Sequence, residues 1–369
     1  MPPTTPLGVN GDWPPTSSRG YLPQSPNDAR FMKNLLLPVL LLGSAFFSEA
    51  QEFKPLLQSG DRVAFIGNTL VERARLFGHL ETSLQLAAGP EAKGLVFRNL
   101  GWSGDSVFGD ARSYFGAPAE GRERLARNLG EIKPAVVLLW YGTETALSVD
   151  QGWTNEAANG ANEVSGSGLE ASKALFLQGY QTLLDSVRSA SGEGLREIVL
   201  VSPPPFENLG APLPDQTANN KNLASIRDGI RELAKKNNAR FVDLFAALGG
   251  DAFDGQVANP ALTEDGVNHG DAGHALVARE LLKGLGYPES ALSQTNNTAL
   301  ANLRAAVIEK DRLFFHRWRP ANETYLFLFR KHEQGQNAKE IPMFDPLIAG
   351  QEKKVEAARA VVFAGMPKN

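Results

Sequence analysis

The apolar positions of this chain fall into short, nearly continuous runs after residue 55. They stand at 62 to 67, at "LVFRNLG" (95 to 101), "AVVLLWYG" (135 to 142), "EIVLVSP" (197 to 203) and "RFVDLF" (240 to 245). Between them lie stretches with helical spacing, such as "VERARLFGHLETSLQLAAG" after the first run. Runs this apolar predict strands buried on both faces, and their alternation with helices predicts βα units. The fold expected is therefore α/β: a three-layer α/β/α sandwich around a five-stranded parallel sheet, with its site at the strands' carboxyl ends. The core domain spans 55–287. A tail at 288–369 follows, with the helical stretch "NTALANLRAAVIEKDRLFFHRWR", an aromatic piece "ETYLFLFRKHE" read as extended, and a last helix "PLIAGQEKKVEAARAVVFAG". It is too polar and short for its own core, so it is expected to pack along the domain as a helical C-terminal extension.

The first 50 residues break this pattern. Residues 1–31 are rich in Pro, Ser, Thr and Gly and carry no apolar period, which fits a disordered or mis-assigned leader. From Met32, "MKNLLLPVLLLGSAFFSEAQEF" has Lys33, an apolar stretch from Leu35 to Phe47 and a small-x-small site at Ser48-Glu49-Ala50. Those are the parts of a signal peptide at 32–50, with Met32 as the start and a mature chain beginning near Gln51. The stretch is shorter than a membrane-spanning helix and holds Pro38, so no stable membrane span is expected. Export makes the expected location secreted or periplasmic.

Composition narrows the chemistry. The chain has 369 residues, 42% of them hydrophobic, a net charge of -4 and no cysteine. Without a basic footprint, nucleic acid is not an expected partner, and without cysteine there is no disulfide, thiolate metal site or cysteine nucleophile. No phosphate-binding Gly-Lys-Ser/Thr loop or dinucleotide fingerprint is present, so no cofactor is expected. His269, Asp271 and His274 could be drawn as a metal cluster, but they lie on no metalloprotease-type framework, and no metal is expected.

The residues that end each strand carry the candidate chemistry: "GNT" (67 to 69), "GWSGDS" (101 to 106), "YGTET" (141 to 145), "SPPPFEN" (202 to 208) and "DGVNHGDAGH" (265 to 274). Thr69 can be read as a nucleophile or as a helix N-cap. Gly104 can turn a backbone N–H toward a ligand, while Gly101 permits a turn. His274 reads as a residue of the helix "AGHALVARELLKGL". His316, Arg317, Trp318 and Arg319 read either as a sugar or carboxylate site or as a docked helix with a basic face.

In order and spacing these blocks resemble the SGNH, or GDSL-type, hydrolases, over roughly residues 60 to 287. The resemblance implies a flavodoxin-like fold and acyl transfer by a hydroxyl nucleophile, with a histidine base, an aspartate three residues before it, and Gly and Asn donors to the oxyanion. Carried over, Thr69 stands at the nucleophile and Asn68 at the preceding acid. Gly104 stands in the second block, and Gly142 and Glu144 in the third. Asp265 and Asn268 occupy the Asp-x-x-His pair, with His269 one residue later. "FIGNTLVER", "FGHLE" and "NLGWSGD" also look like a secreted subfamily of planctomycetes and related bacteria in which Gly-Asn-Thr is the ordinary first block. Two functions stay open. One is an ester hydrolase, deacylating a small molecule or carbohydrate, with Thr69 attacking, His269 as base, Asp265 orienting it, and Gly104 with the Thr69 amide at the oxyanion. The other is a catalytically silent scaffold that binds glycan or a partner protein.

Overall fold

The computed structural model describes residues 55–149, 168–288 and 298–366. The leader and signal segment expected at 1–31 and 32–50 lie outside the described residues.

Five strands form one parallel sheet: β1 (Arg62–Gly67), β2 (Val96–Asn99), β3 (Val136–Trp140), β4 (Glu197–Val201) and β5 (Arg240–Val242), in the order β2-β1-β3-β4-β5. Each expected strand is present: β1 keeps its full length, and the others are shorter by one to three residues at one or both ends. Because side chains alternate across a strand, each apolar run feeds two cores. Ala64, Ile66, Val137, Leu139 and Leu200 face one side, where they meet α3 (Pro118–Ile132), α5 (Leu169–Ser191) and α6 (Thr217–Lys236). Val63, Phe65, Leu138, Trp140 and Val199 face the other, under α1 (Thr69–Phe77), α2 (His79–Ala87) and α7 (Asp271–Gly284). The short helix α4 (Thr143–Leu147) begins directly after β3. This is the three-layer α/β/α sandwich.

The single helix expected after β1 is two helices. Gly78 adopts φ 69°, closing α1 by donating to the Ala74 carbonyl and opening α2. A glycine tolerates that left-handed turn where other residues resist it.

In the tail, α8 (Thr298–Trp318) and α9 (Phe344–Ala364) pack on one another, and α8 also lies against α1, α2 and β2. The fully buried Lys310 Nζ reaches Glu81 Oε2 at 2.5 Å and Asp311 Oδ1 at 2.6 Å, so α8 is tied to α2 by charge as well as by apolar contact. Buried Arg359 of α9 donates to the Gln85 and Gly89 carbonyls at the end of α2. "ETYLFLFRKHE" is not extended. Helical turns at Glu323–Leu326 and Lys331–Gln334 satisfy its backbone locally, and buried Glu323 accepts from Tyr114 and Arg124. Aromatic content suits a strand only where a partner strand is in reach, and the described sheet ends at β2 and β5.

The turn out of β1 has no spare room. A Cβ on Gly67 would lie 2.6 Å from both the Trp140 carbonyl oxygen and Val71 Cγ2. Gly67→Val should therefore lower stability by about 3 kcal/mol, read from urea unfolding midpoints. A variant as stable as the parent would contradict this packing.

Candidate active site

The turns after β1, β2 and β3 converge with the loop before α7 on a cavity of about 180 Å³. Asn68, Thr69, Gly104, Glu144, Asn268 and His269 all line it, with Leu147, Pro204 and Phe206 as its apolar wall.

Thr69 is the first residue of α1, and Asn68 occupies the N-cap position. The Thr69 hydroxyl is thus free of capping duty, and the Gly104 N–H donates to it at 3.4 Å. Gly104 has φ 77°, which turns its N–H toward Thr69. The two turns approach so closely because Gly101 leaves no gap: a Cβ there would lie 2.2 Å from the Glu72 nitrogen of α1.

Asn68 does not cap the helix with its side chain either. Its Nδ2 donates across to Glu144 Oε2 at 2.9 Å, joining the β1 and β3 turns. Glu144 Oε1 is buried with no partner. Burial raises the Glu144 carboxyl to about 7, against the smaller opposing pull of its own backbone and of Asn68. Near neutral pH it is therefore protonated in part, and a protonated carboxyl can donate a hydrogen bond where a carboxylate cannot. Gly142, at φ 124°, shapes the turn into α4 and is not among the cavity-lining residues.

The loop before α7 departs from the expected arrangement. Asp265 Oδ1 accepts from the Val267 and Asn268 N–H groups at 3.0 and 2.7 Å, and its Oδ2 accepts from Asn268 Nδ2 at 2.7 Å. Partial burial works against ionisation here, but these donors hold the Asp265 carboxyl below its ordinary range. The bond expected from Asp265 to His269 is not made, because the Asp-Gly-Val-Asn turn delivers Asn268 to that carboxylate. His269 is 4% exposed, and its Nδ1 has no hydrogen-bond partner. Burial drives it down to about 4, outweighing the opposing effect of Glu207. It is a neutral imidazole at pH 7. His274 stacks on Phe77 at 4.6 Å and is buried, as expected of a helix residue.

Two buried acids at the site carried no local signal. Asp105 is 0% exposed and lines the cavity; its Oδ2 accepts from Arg112 Nε at 2.6 Å and Tyr141 OH at 2.8 Å, and its Oδ1 has no partner. Glu207 accepts from the Thr263 N–H at 2.7 Å and hydroxyl at 2.5 Å and from the Ala258 and Leu262 N–H groups, so it moulds the loop that carries Asp265 to His269. Among the described residues, no three His, Cys, Asp or Glu side chains gather as metal ligands, and no helix is long and apolar enough to cross a membrane.

The profile of the GDSL-like lipase/acylhydrolase family matches residues 74–276. This chain belongs to the GDSL-like lipase/acylhydrolase family. The matched span of this GDSL-like chain takes in Gly104, Glu144, Asp265 and His269 and begins just after Thr69. No curated protein matches the chain in sequence. Solved structures are similar to part of the chain. Axe2, an acetylxylan esterase from Geobacillus stearothermophilus, is 20% identical over 63% of this chain and 97% of its own, with a TM-score of 0.44. A catalytic mutant of Axe2 aligns at 19% identity over 65% and 99%, with a TM-score of 0.45. LAE5, an alpha/beta hydrolase from the metagenome of Lake Arreo, Spain, aligns at 16% identity over 65% and 100%, with a TM-score of 0.44.

The Glu144 carboxyl gives this GDSL-like site a pH signature. Its folded-state value of about 7 lies above the ordinary 4.5, so between those values the folded chain holds a proton that the unfolded chain releases. Stability therefore falls through this group as pH rises across that window. Glu144→Gln removes the effect while keeping an acceptor for Asn68. The variant should gain about 3 kcal/mol on the parent between about pH 4 and about pH 8, in paired denaturation curves. Parallel curves across the range would contradict it.

Proposed function

We propose that this chain is an exported ester hydrolase in which Thr69 is the nucleophile, acting on short acyl groups carried by a carbohydrate or similar polyhydroxylated molecule. The observation that carries this reading is the contact between the Thr69 hydroxyl and the Gly104 N–H at the mouth of one cavity. A hydroxyl beside a fixed N–H donor is the pair acyl transfer needs: one attacks, and the other receives the charge that develops on the carbonyl oxygen. Size and lining support the substrate class. About 180 Å³ with a small apolar wall accommodates a short acyl group, and Asn68, Glu144 and Asn268 offer polar contacts to hydroxyls. Export is proposed from the segment at 32–50.

In this mechanism Thr69 Oγ1 bonds to the acyl carbon as its proton passes to the base. The carbonyl oxygen becomes an oxyanion facing the Gly104 and Thr69 N–H groups. Collapse releases the alcohol, which takes back the proton, and water then cleaves the acyl-threonine. His269 is the base in reach of the cavity. It is neutral and able to accept a proton, but a value near 4 makes it a weak base, and it makes no hydrogen bond to Thr69 in the free protein. Catalytic contacts often tighten only when substrate binds. Turnover is accordingly slow.

A second reading, the silent binding scaffold, is favoured by one specific feature: the carboxylate of Asp265 holds an amide, Asn268, where a base would be oriented. A panel of short-chain aryl and sugar esters separates the two. Thr69→Ala should abolish turnover with the fold intact. Asn268→His places an imidazole on Asp265 and should raise turnover about 100-fold. If Thr69→Ala hydrolyses as well as an active parent, Thr69 is not the nucleophile; if neither the parent nor Asn268→His has activity, the scaffold reading stands.

A further inference from the structure

The C-terminal extension reaches the site from outside the span matched by the family. Arg319, one residue beyond α8, places its Nη1 2.6 Å from Glu72 Oε2. The same carboxylate oxygen accepts the Ser103 N–H at 2.6 Å. Glu72 lies in the first turn of α1, three residues after Thr69, and Ser103 immediately precedes Gly104. One carboxylate therefore spans the two segments that supply the hydroxyl and the donor. The Arg319 Cζ also lies over the Trp102 ring, 3.8 Å from its centroid, and Trp318 meets the same ring edge-on at 5.6 Å. Trp102 in turn anchors the loop, its N–H donating to the Gly67 carbonyl at 2.9 Å and its carbonyl accepting from the Asp105 N–H at 3.0 Å.

We propose that Arg319 is a positioning residue for the hydrolysis: through Glu72 and Trp102 it fixes the Gly104 N–H against the Thr69 hydroxyl, which makes the C-terminal extension part of the active-site scaffold. This rests on the ester-hydrolase reading. The geometry explains why an arginine stands there. Its guanidinium donates to a carboxylate while sitting over an indole ring, and a lysine ammonium offers a compact point charge without that planar surface. The neighbouring Arg75 also feels the Glu72 charge, but its guanidinium is seated over the Phe315 ring at 3.7 Å and its Nε has no hydrogen-bond partner. An N–H donor works only when held where the oxyanion forms, so a small drift of the 101–105 loop lowers the rate of the chemical step without weakening substrate binding.

Two measurements on the full chain test this. On an ester that the parent turns over, Arg319→Gln should lower kcat about 10-fold with KM unchanged, and Arg319→Lys should fall between it and the parent. Amide hydrogen exchange resolved at Ser103 and Gly104 should be about 10-fold faster in Arg319→Gln, with exchange along α8 unchanged. Arg319→Lys keeps the charge on Glu72 and gives the same readouts if the glutamine variant folds poorly. A parental kcat in Arg319→Gln, or a loss of rate carried by KM, overturns the proposal, as does unaltered exchange at both amides. If neither the parent nor Asn268→His hydrolyses an ester, the hydrolase reading fails on that result alone, and the exchange data decide separately whether Arg319 holds the loop.

Discussion

Two glycines without space for a side chain set the geometry from which the site follows. Gly67 passes β1 under the Trp140 carbonyl, and Gly101 lets the loop after β2 lie against the backbone of α1. Parallel pairing of β1 with both β2 and β3 already brings three strand ends to one edge of the sheet. The glycines close the remaining distance, so a hydroxyl from one turn meets an N–H from the next. Each later feature builds on that approach: Asn68 crosses to Glu144, Glu72 reaches Ser103, and the tail closes over Trp102.

The charges at the site follow from burial more than from pairing. Glu144 has only its own backbone and the Asn68 amide to set against its desolvation, too little to offset it, so its proton is retained toward neutrality. His269 is buried with no bonded carboxylate and is neutral for the same reason. Asp265 has three donors and stays ionised, but those donors belong to Val267 and Asn268. On the proposed hydrolase reading, the site therefore holds its nucleophile and oxyanion donor in contact, with a base that is neutral, weak and unbonded to either. That combination fits acylation more readily than deacylation, because attack by water also needs a base.

The sheet was legible in the sequence because buried parallel strands leave continuous apolar runs, and "AVVLLWYG" and "EIVLVSP" show this without ambiguity. The turn residues after β1 and β3 were legible for a related reason: they directly follow their strands. What escaped depends on distant partners. Gly78 reads as one tolerable glycine inside a helical period until its left-handed φ is seen. "ETYLFLFRKHE" has the composition of a strand but nothing to pair with. Asp105 and Glu207 are isolated acids in the sequence, and only the fold shows Asp105 against Arg112 and Tyr141, or Glu207 against Thr263, more than fifty residues away. Arg319 escaped likewise. Its partners Glu72 and Trp102 lie more than two hundred residues before it, so a basic run near a helix end could be read equally as a site or as a docked surface.

The central claim is that the Thr69 hydroxyl attacks an acyl carbon in this cavity. Weak base assistance predicts that the acyl-threonine forms faster than it is cleared. The most direct measurement is therefore peptide mass spectrometry after brief incubation of the intact chain with an activated short-chain aryl ester and an acid quench. The account predicts one acyl group on the peptide that contains Thr69, and its disappearance in Thr69→Ala. Acylation at another residue, with Thr69 unmodified while ester is consumed, would contradict it.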